Sequence, residues 1–418
     1  MGGNRMRPIR HLLALLLLWL AILACGGSRF STPTLTPVPE SSGLPQPVPE
    51  SYRTLYTSLE ADIAAVEGLV DELIAVPDPA TRFGAELVVA SGNRGADLLA
   101  PQTMGAVELY LDRLMELGVD GVSVQISDPL LSSEFPESEA YLAFYRQVAE
   151  EVRRRGLALM IETGPVFPDP QYSKVAFDWS ALSVQEYFNL RREQLVLIAR
   201  EVRPDYLSLG NEPATEVLLT GLNIDVQSYL GFIRGVHEDL DGLQGVMLGA
   251  GSGSWEDPAY IEAFLQEPAL DFIDIHIYPI TNGRIDYVRR ASEWSELARA
   301  QGKQVAIGET WLYKVTAAEL IQGISYQEAL QRDVFSFWQP LDIRFQRAIA
   351  EMAQAQGIDF VSFFWSGFYY AYLEADPALL EASALERYQE LNRLQYANLL
   401  AGTLTDTGND FQEFLAAR

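Results

Sequence analysis

The chain has 418 residues, with 30 Lys+Arg against 57 Asp+Glu and a formal charge of −27. A hydrophobic share of 48% against 21% charged is ordinary for a globular protein and excludes a largely disordered one. So acidic a chain offers no basic stripe for a phosphate backbone, so no nucleic-acid partner is expected. One cysteine and three histidines exclude a disulfide framework and a Cys/His-built zinc site, and no metal or cofactor is expected.

In chain order, Arg5, Arg7 and Arg10 precede an apolar run from Leu12 to Ala24. That run is too short to cross about 30 Å of hydrocarbon, which takes roughly 20 residues, but it suits a signal-peptide core over residues 1–24. The segment Leu20-Ala-Ile-Leu-Ala-Cys25 resembles a bacterial lipoprotein signal, which implies that Cys25 becomes the lipidated first residue. Residues 25–50 form a Ser/Thr/Pro tract that cannot bury a core and reads as a tether. The expected location is extracytoplasmic, at the cell surface, as a membrane-anchored lipoprotein and a monomer.

Residues 51–80 hold an N-terminal helix, with Leu55, Leu59, Ile63, Val66, Val70 and Leu73 at helical spacing from Tyr52 to Val76 before Pro77 and Pro79. From residue 81 to 418, short apolar runs alternate with amphipathic stretches. The runs are Glu86–Ala90, Gly121–Ile126, Ala158–Glu162, Tyr206–Leu209, Gly245–Gly249, Phe272–Ile277, Gln304–Ile307 and Phe360–Phe364. Near-continuous apolar strands are buried on both faces, as a parallel sheet requires. Eight strand–helix units predict an α/β fold, a (β/α)8 TIM barrel with an N-terminal helical extension. A doubly wound open sheet is the competing architecture, and the strand count disfavours it. Leu380 to Leu400 reads as the last barrel helix, and Thr403–Ala417 as a short closing element.

The strand ends carry the chemistry. Strand four runs into Gly210-Asn211-Glu212-Pro213 and strand seven into Gly308-Glu309-Thr310-Trp311, so each ends in a glutamate behind an apolar run and a glycine. In a closed barrel these two ends face each other across the mouth, although the glutamates are 97 residues apart. Two carboxyl groups about 5–5.5 Å apart are what glycosidic cleavage with retention of configuration demands.

Gly210-Asn211-Glu212-Pro213 followed by Glu309 resembles the clan-A retaining glycoside hydrolases, barrel enzymes with catalytic glutamates on strands four and seven. The resemblance implies Glu212 as general acid/base, Glu309 as nucleophile and Asn211 as a ligand of the sugar 2-hydroxyl. It implies that His276 and Tyr278 on strand six attend the nucleophile, and that Trp365 after strand eight is an aromatic platform for the sugar. Trp311 beside Glu309 is expected to bind substrate too, and Glu162 adds a third carboxylate near the mouth as a candidate sugar ligand. Trp255 and Trp338 also fall at predicted strand ends or loops. Family members often carry an arginine near the end of strand one or two. Strand two here ends Gln125-Ile126-Ser127-Asp128 without one, leaving Arg94 as the candidate.

The expected function is therefore retaining hydrolysis of β-glycosidic bonds in an oligo- or polysaccharide. A non-catalytic glycan-binding barrel and a transglycosylase using the same glutamates are the alternatives. A solute-binding lipoprotein would share the leader but show two lobes rather than eight consecutive units. The Gly249-Ala-Gly251-Ser-Gly253 run lacks the trailing Lys-Ser/Thr of a phosphate loop and reads as the exit of strand five. A Ser-His-Asp triad would have to use His276, and no nucleophile-elbow motif accompanies it.

Overall fold

The computed structural model describes residues 47–76, 80–167, 173–278, 285–316, 318–319 and 332–418. Eight parallel strands close into a barrel: β1 Arg82–Glu86, β2 Gly121–Asp128, β3 Ala158–Pro165, β4 Tyr206–Ser208, β5 Met247–Gly253, β6 Phe272–Ile277, β7 Gln304–Thr310 and β8 Phe360–Phe363. β1 pairs with both β2 and β8, so the sheet has no free edge and the doubly wound alternative falls.

The barrel's lower rim is tied by one device used four times. Asp120, Asp205, Asp271 and Asp359 each stand directly before an even-numbered strand. Each accepts a backbone N–H from the preceding strand, at Phe83, Leu159, Leu248 and Val305, over 2.8–2.9 Å. A charge-assisted bond to a main-chain donor pins the register of each odd–even pair.

The outer helices are α1 Arg53–Asp71, α2 Thr103–Leu117, α3 Ser138–Arg154, α4 Val184–Leu197, α5 Pro213–Thr220, α6 Val226–Asp239, α7 Ala259–Gln266, α8 Ile285–Ala300, α9 Gln339–Gln356, α10 Pro377–Glu381, α11 Ala384–Ala401 and α12 Asp406–Ala416. α1 buries Leu55, Leu59, Ile63, Val66 and Val70, the helical spacing read from the sequence. It lies against α9, where Glu67 pairs with Arg344 at 2.6 Å and Tyr56 stacks on Trp338 at 5.6 Å. Trp338 therefore serves this outer packing and not the mouth.

Three expectations need correction. The first strand is Arg82–Glu86 and not Glu86–Ala90; Val88–Ala90 forms a 3-10 turn instead. The N-terminal helix ends at Asp71, before Val76, and residues 77–79 lie outside the described residues. The last helix of the ring is α12. Its Phe414 and Phe411 meet Phe83 of β1 and Phe363 of β8 edge-on at 5.3 and 5.1 Å, while Asp410 pairs with Arg347 of α9 and Gln412 reaches the Glu116 carbonyl of α2. Residues 1–46, with the signal segment, Cys25 and most of the tether, also lie outside the described residues. Among the described residues no helix is long and apolar enough to cross a membrane.

Candidate active site

Side chains alternate along a strand, so every second residue enters the barrel. The lower interior layer is an apolar plug of Met160, Tyr206, Phe272, Ala306 and Phe360. Two residues further along the same strands, the interior turns polar: Glu162 on β3, Ser208 on β4, Asp274 on β6 and Ser362 on β8 are all buried. Gly308 on β7 makes room for this layer, because a Cβ there would collide with the carboxylates of Glu162 and Asp274. Asp274 is held by Ser208 Oγ at 2.7 Å and the Gly308 N–H at 3.0 Å.

On plain alternation Ala306 and Gly308 face inward and Glu309 would face out. The pairing instead slips: Asp274 is opposite Ala306, but His276 is opposite Glu309, so β7 carries one extra residue. Such a bulge rotates the following side chain, and it brings Glu309 to the mouth. Glu212 arrives differently. β4 ends at Ser208, Gly210 continues the pairing to β5 through its carbonyl to the Gly251 N–H at 2.8 Å, and Glu212 caps α5 with Pro213 as its first residue.

His276 stands between the two glutamates. Its Nδ1 lies 2.8 Å from Glu212 Oε1 and 3.6 Å from Glu309 Oε2, and its Nε2 lies 3.0 Å from Glu162 Oε1 and 3.8 Å from Asp274 Oδ2. Tyr278 donates its hydroxyl to Glu309 Oε2 at 2.6 Å, and Thr215 donates to Glu212 Oε2 at 2.7 Å. Asn211 Nδ2 donates to Glu162 Oε1 at 3.4 Å. A carboxylate oxygen of Glu212, one of Glu309 and a His276 nitrogen all lie within 4.8 Å of one another.

Burial penalises a charged His276, but Glu309, Glu162 and Glu212 outweigh it and hold the imidazole protonated, well above 6.5. Burial pushes the Glu309 carboxyl up; His276 and the Tyr278 hydrogen bond oppose this, while Glu162 and Glu212 add to it. Burial likewise raises Asp274 to about 7, against the pull of His276. Glu162, Asp274 and His276 also form a buried set spaced as metal ligands, as do Glu212, His276 and Glu309. Both imidazole nitrogens already face carboxylates at 2.8 and 3.0 Å, so ligation would first require His276 to lose a proton.

The aromatic expectations divide. Trp365 lies 5.7 Å from the Tyr278 ring and Trp255 lies 5.9 Å from it, so both lie on the Glu309 side. Trp311 is fully buried, packed between Trp365 at 6.3 Å and a stacked Phe368 at 5.8 Å. Arg94 neighbours Asp97 and Tyr145. The arginine at the end of β2 is Arg191 of α4, whose Nε pairs with Asp128 Oδ2 at 3.0 Å.

The sequence reading missed Glu86, Glu256 and the part played by Asp274. Glu256 accepts the Ser252 hydroxyl at 2.6 Å and the Ala214 N–H at 3.1 Å, and burial followed by the Glu212 charge raises it to about 8. Glu86 was assigned to a strand's start and is its last residue. An acid at a strand end, placed in the right register, is the signal that would have found it.

No protein-family model and no curated protein match the chain. Among solved structures it is similar to an exo-β-1,4-mannosidase from Opitutaceae bacterium strain TAV5, at 15% identity and a TM-score of 0.52, over 83% of this chain and 62% of that one. A GH30 endoxylanase from Clostridium papyrosolvens C71 matches at 11% identity and a TM-score of 0.43, over 82% and 74% of the two chains. A Thermotoga maritima Cel5A in complex with mannotriose matches at 12% and 0.44, over 74% and 97%. This chain thus spans 62% of the mannosidase's length, and what the two share is the fold. The class is a closed (β/α)8 barrel with an acidic, histidine-centred site at the C-terminal ends of its strands.

Proposed function

We propose that the chain is a retaining β-glycosidase that cleaves an oligo- or polysaccharide by double displacement. The observation that carries this reading is the pair Glu212 and Glu309 at the barrel mouth, with carboxylate oxygens within 4.8 Å and His276 between them. Oxygens this near suit retention, which uses carboxyl groups about 5–5.5 Å apart, better than inversion, which spaces them about 6.5–9.5 Å.

Glu309 attacks the anomeric carbon, its Oε2 held by the Tyr278 hydroxyl. Glu212 gives its proton to the departing glycosidic oxygen, then takes one from the water that releases the glycosyl-enzyme. His276 keeps a positive charge beside both acids, which favours Glu309 as a carboxylate, while Thr215 and the imidazole fix the orientation of Glu212. In this reading Asn211 binds the sugar 2-hydroxyl and Trp365 stacks on a ring face. Glu162, which receives both His276 and Asn211, acts as much through them as by binding sugar itself. We further propose a lipid anchor at Cys25 and the Ser/Thr/Pro tether, holding a monomeric domain outside the cytoplasm.

The test is hydrolysis of a panel of β-linked glycans by the wild type, Glu212→Gln and Glu309→Gln, with the anomer of the first product read by NMR. Cleavage by the wild type alone, with β product formed first, is expected. Undiminished activity in both variants contradicts the reading. Glycan binding without turnover by the wild type would favour the non-catalytic barrel.

A further inference from the structure

Glu86, the last residue of β1, is buried and has one carboxyl oxygen without a partner. Its Oε2 accepts the Trp365 backbone N–H at 3.3 Å and its main-chain carbonyl accepts the Ser366 hydroxyl at 2.6 Å, but among the described residues Oε1 has no hydrogen-bond partner. Strand geometry says where this side chain goes. Gly84, two residues earlier, turns inward, since a Cβ there would run into the Phe360 ring of the interior plug. Glu86 therefore enters the barrel on the same side, one layer higher. Glu162 is close enough for its charge to act on Glu86. Trp365, which Glu86 holds by its N–H, has its ring 5.7 Å from that of Tyr278, and Tyr278 holds Glu309. The orphan oxygen thus belongs to the β1–β8 side of the same mouth.

A desolvated polar atom without a partner is uncommon in a native interior, and a ligand group is one thing that can satisfy it. We propose that Glu86 is a substrate-binding residue whose Oε1 takes one ring hydroxyl of the sugar lying against Trp365, so that it selects the configuration of that hydroxyl. This rests on the glycosidase reading above. The carboxyl is suited to a neutral partner: burial raises it to about 8, so near neutral pH it keeps its proton and can donate as well as accept. The rival role is purely supporting, because Trp365 has a left-handed backbone (φ 52) and its N–H rests on Glu86.

Deoxygenated substrates separate the two. The full chain, Glu86→Ala and Glu86→Gln are assayed with 4-nitrophenyl β-glycosides of mannose, glucose, galactose and xylose, then with each monodeoxy form of the best substrate. Removing one particular hydroxyl should lower wild-type kcat/KM about tenfold, the worth of one hydrogen bond. Glu86→Ala should lose about as much on the parent sugar and nothing further on that deoxy sugar, so the two losses do not add. Glu86→Gln, which still offers a donor and an acceptor, should lose less than Glu86→Ala on the parent sugar and still discriminate against that deoxy sugar. If Glu86→Ala does not fold, Glu86→Met, apolar and of similar volume, carries the same comparison. Additive losses at every hydroxyl overturn the proposal and leave the glycosidase reading standing. A wild type that neither cleaves nor binds these glycosides or any glycan of the β-linked panel overturns both.

Discussion

Arg191 and His276 are both fully buried cations facing carboxylates, and the contrast between them separates scaffold from site. Arg191 pairs with Asp128 at 3.0 Å and Glu216 at 2.7 Å, donates to the Leu209 carbonyl at 2.7 Å, and lies over the Phe232 ring at 5.1 Å. Tyr187 and Tyr229 complete Glu216 from the other side, at 3.0 and 2.6 Å. One permanent charge thereby ties the end of β2, the segment beyond β4 and helix α5, whose first turn follows Glu212. Among the described residues the His276 side chain has no main-chain partner of this kind, and it faces Glu162, Glu212, Glu309 and Asp274 within 3.8 Å. Four acids around one titratable cation make a poor structural clamp. They concentrate ionisable side chains at the ends of β3, β4, β6 and β7.

Substitutions on each side sharpen that contrast. At the mouth, Glu212→Gln should lower kcat by about 10²–10⁴, the usual worth of a positioned general acid, with the unfolding midpoint close to wild type. A variant that lost stability and kept its rate would break the distinction. Behind β4, Arg191→Met leaves Asp128 and Glu216 buried without their cation, and breaking such a pair costs roughly 3–5 kcal/mol in denaturant unfolding. Arg191→Lys should recover part of that stability and leave the pH dependence of kcat/KM unmoved.

His276→Gln tests the electrostatic half. The His276 charge holds the Glu309 carboxyl down against its burial, so removing it raises that carboxyl further. In the mechanism proposed, Glu309 must be ionised to attack, so the acid limb of the kcat/KM profile should move to higher pH. A limb that stays put, or moves to lower pH, would mean that His276 does not set the ionisation of Glu309.

A pH-dependent effect on stability alone is expected at Glu256. Its folded-state value of about 8 lies above its ordinary 4.5, so the folded chain binds this proton more tightly than the unfolded one. Stability from this group is therefore lost as pH rises from about 5 to 8. Glu256→Gln cannot ionise and should escape that loss, so its advantage over wild type should grow between pH 5 and pH 8 by up to about 3 kcal/mol for a shift of this size. Thermal unfolding at the two pH values measures this.

The barrel was legible because its strands are short apolar runs separated by amphipathic helices, and Glu212, Glu309, His276 and Tyr278 were legible because each stands where such a run ends. β1 was misplaced because its own pattern is weak: Arg82 and Gly84 interrupt it, while Leu87-Val88-Val89-Ala90 looks more like a strand and forms a 3-10 turn. That slip of four residues hid Glu86. The orientation of Glu309 depends on a one-residue bulge, which no periodicity reveals. Arg191 was passed over because an arginine on a helix ordinarily marks a solvated face, and only its partners at the end of β2 and on helix α5 make burial tolerable. The four aspartates before the even strands were in plain view, but their common role emerges only once neighbouring strands are paired. The last ring helix was misassigned because α11 is longer than α12, although α12 is the one that meets β1 and β8.

Covalent trapping tests the central assignment most directly. The chain is incubated with a 2-deoxy-2-fluoro β-glycoside of its best sugar, and the digested protein is mapped by mass spectrometry. The fluorine slows release of the glycosyl-enzyme, so an ester on the peptide carrying Glu309 is predicted, absent in Glu309→Gln. An adduct on Glu212, Glu162 or Glu86 instead, or cleavage that yields the α-anomer first with no adduct, would contradict double displacement through Glu309.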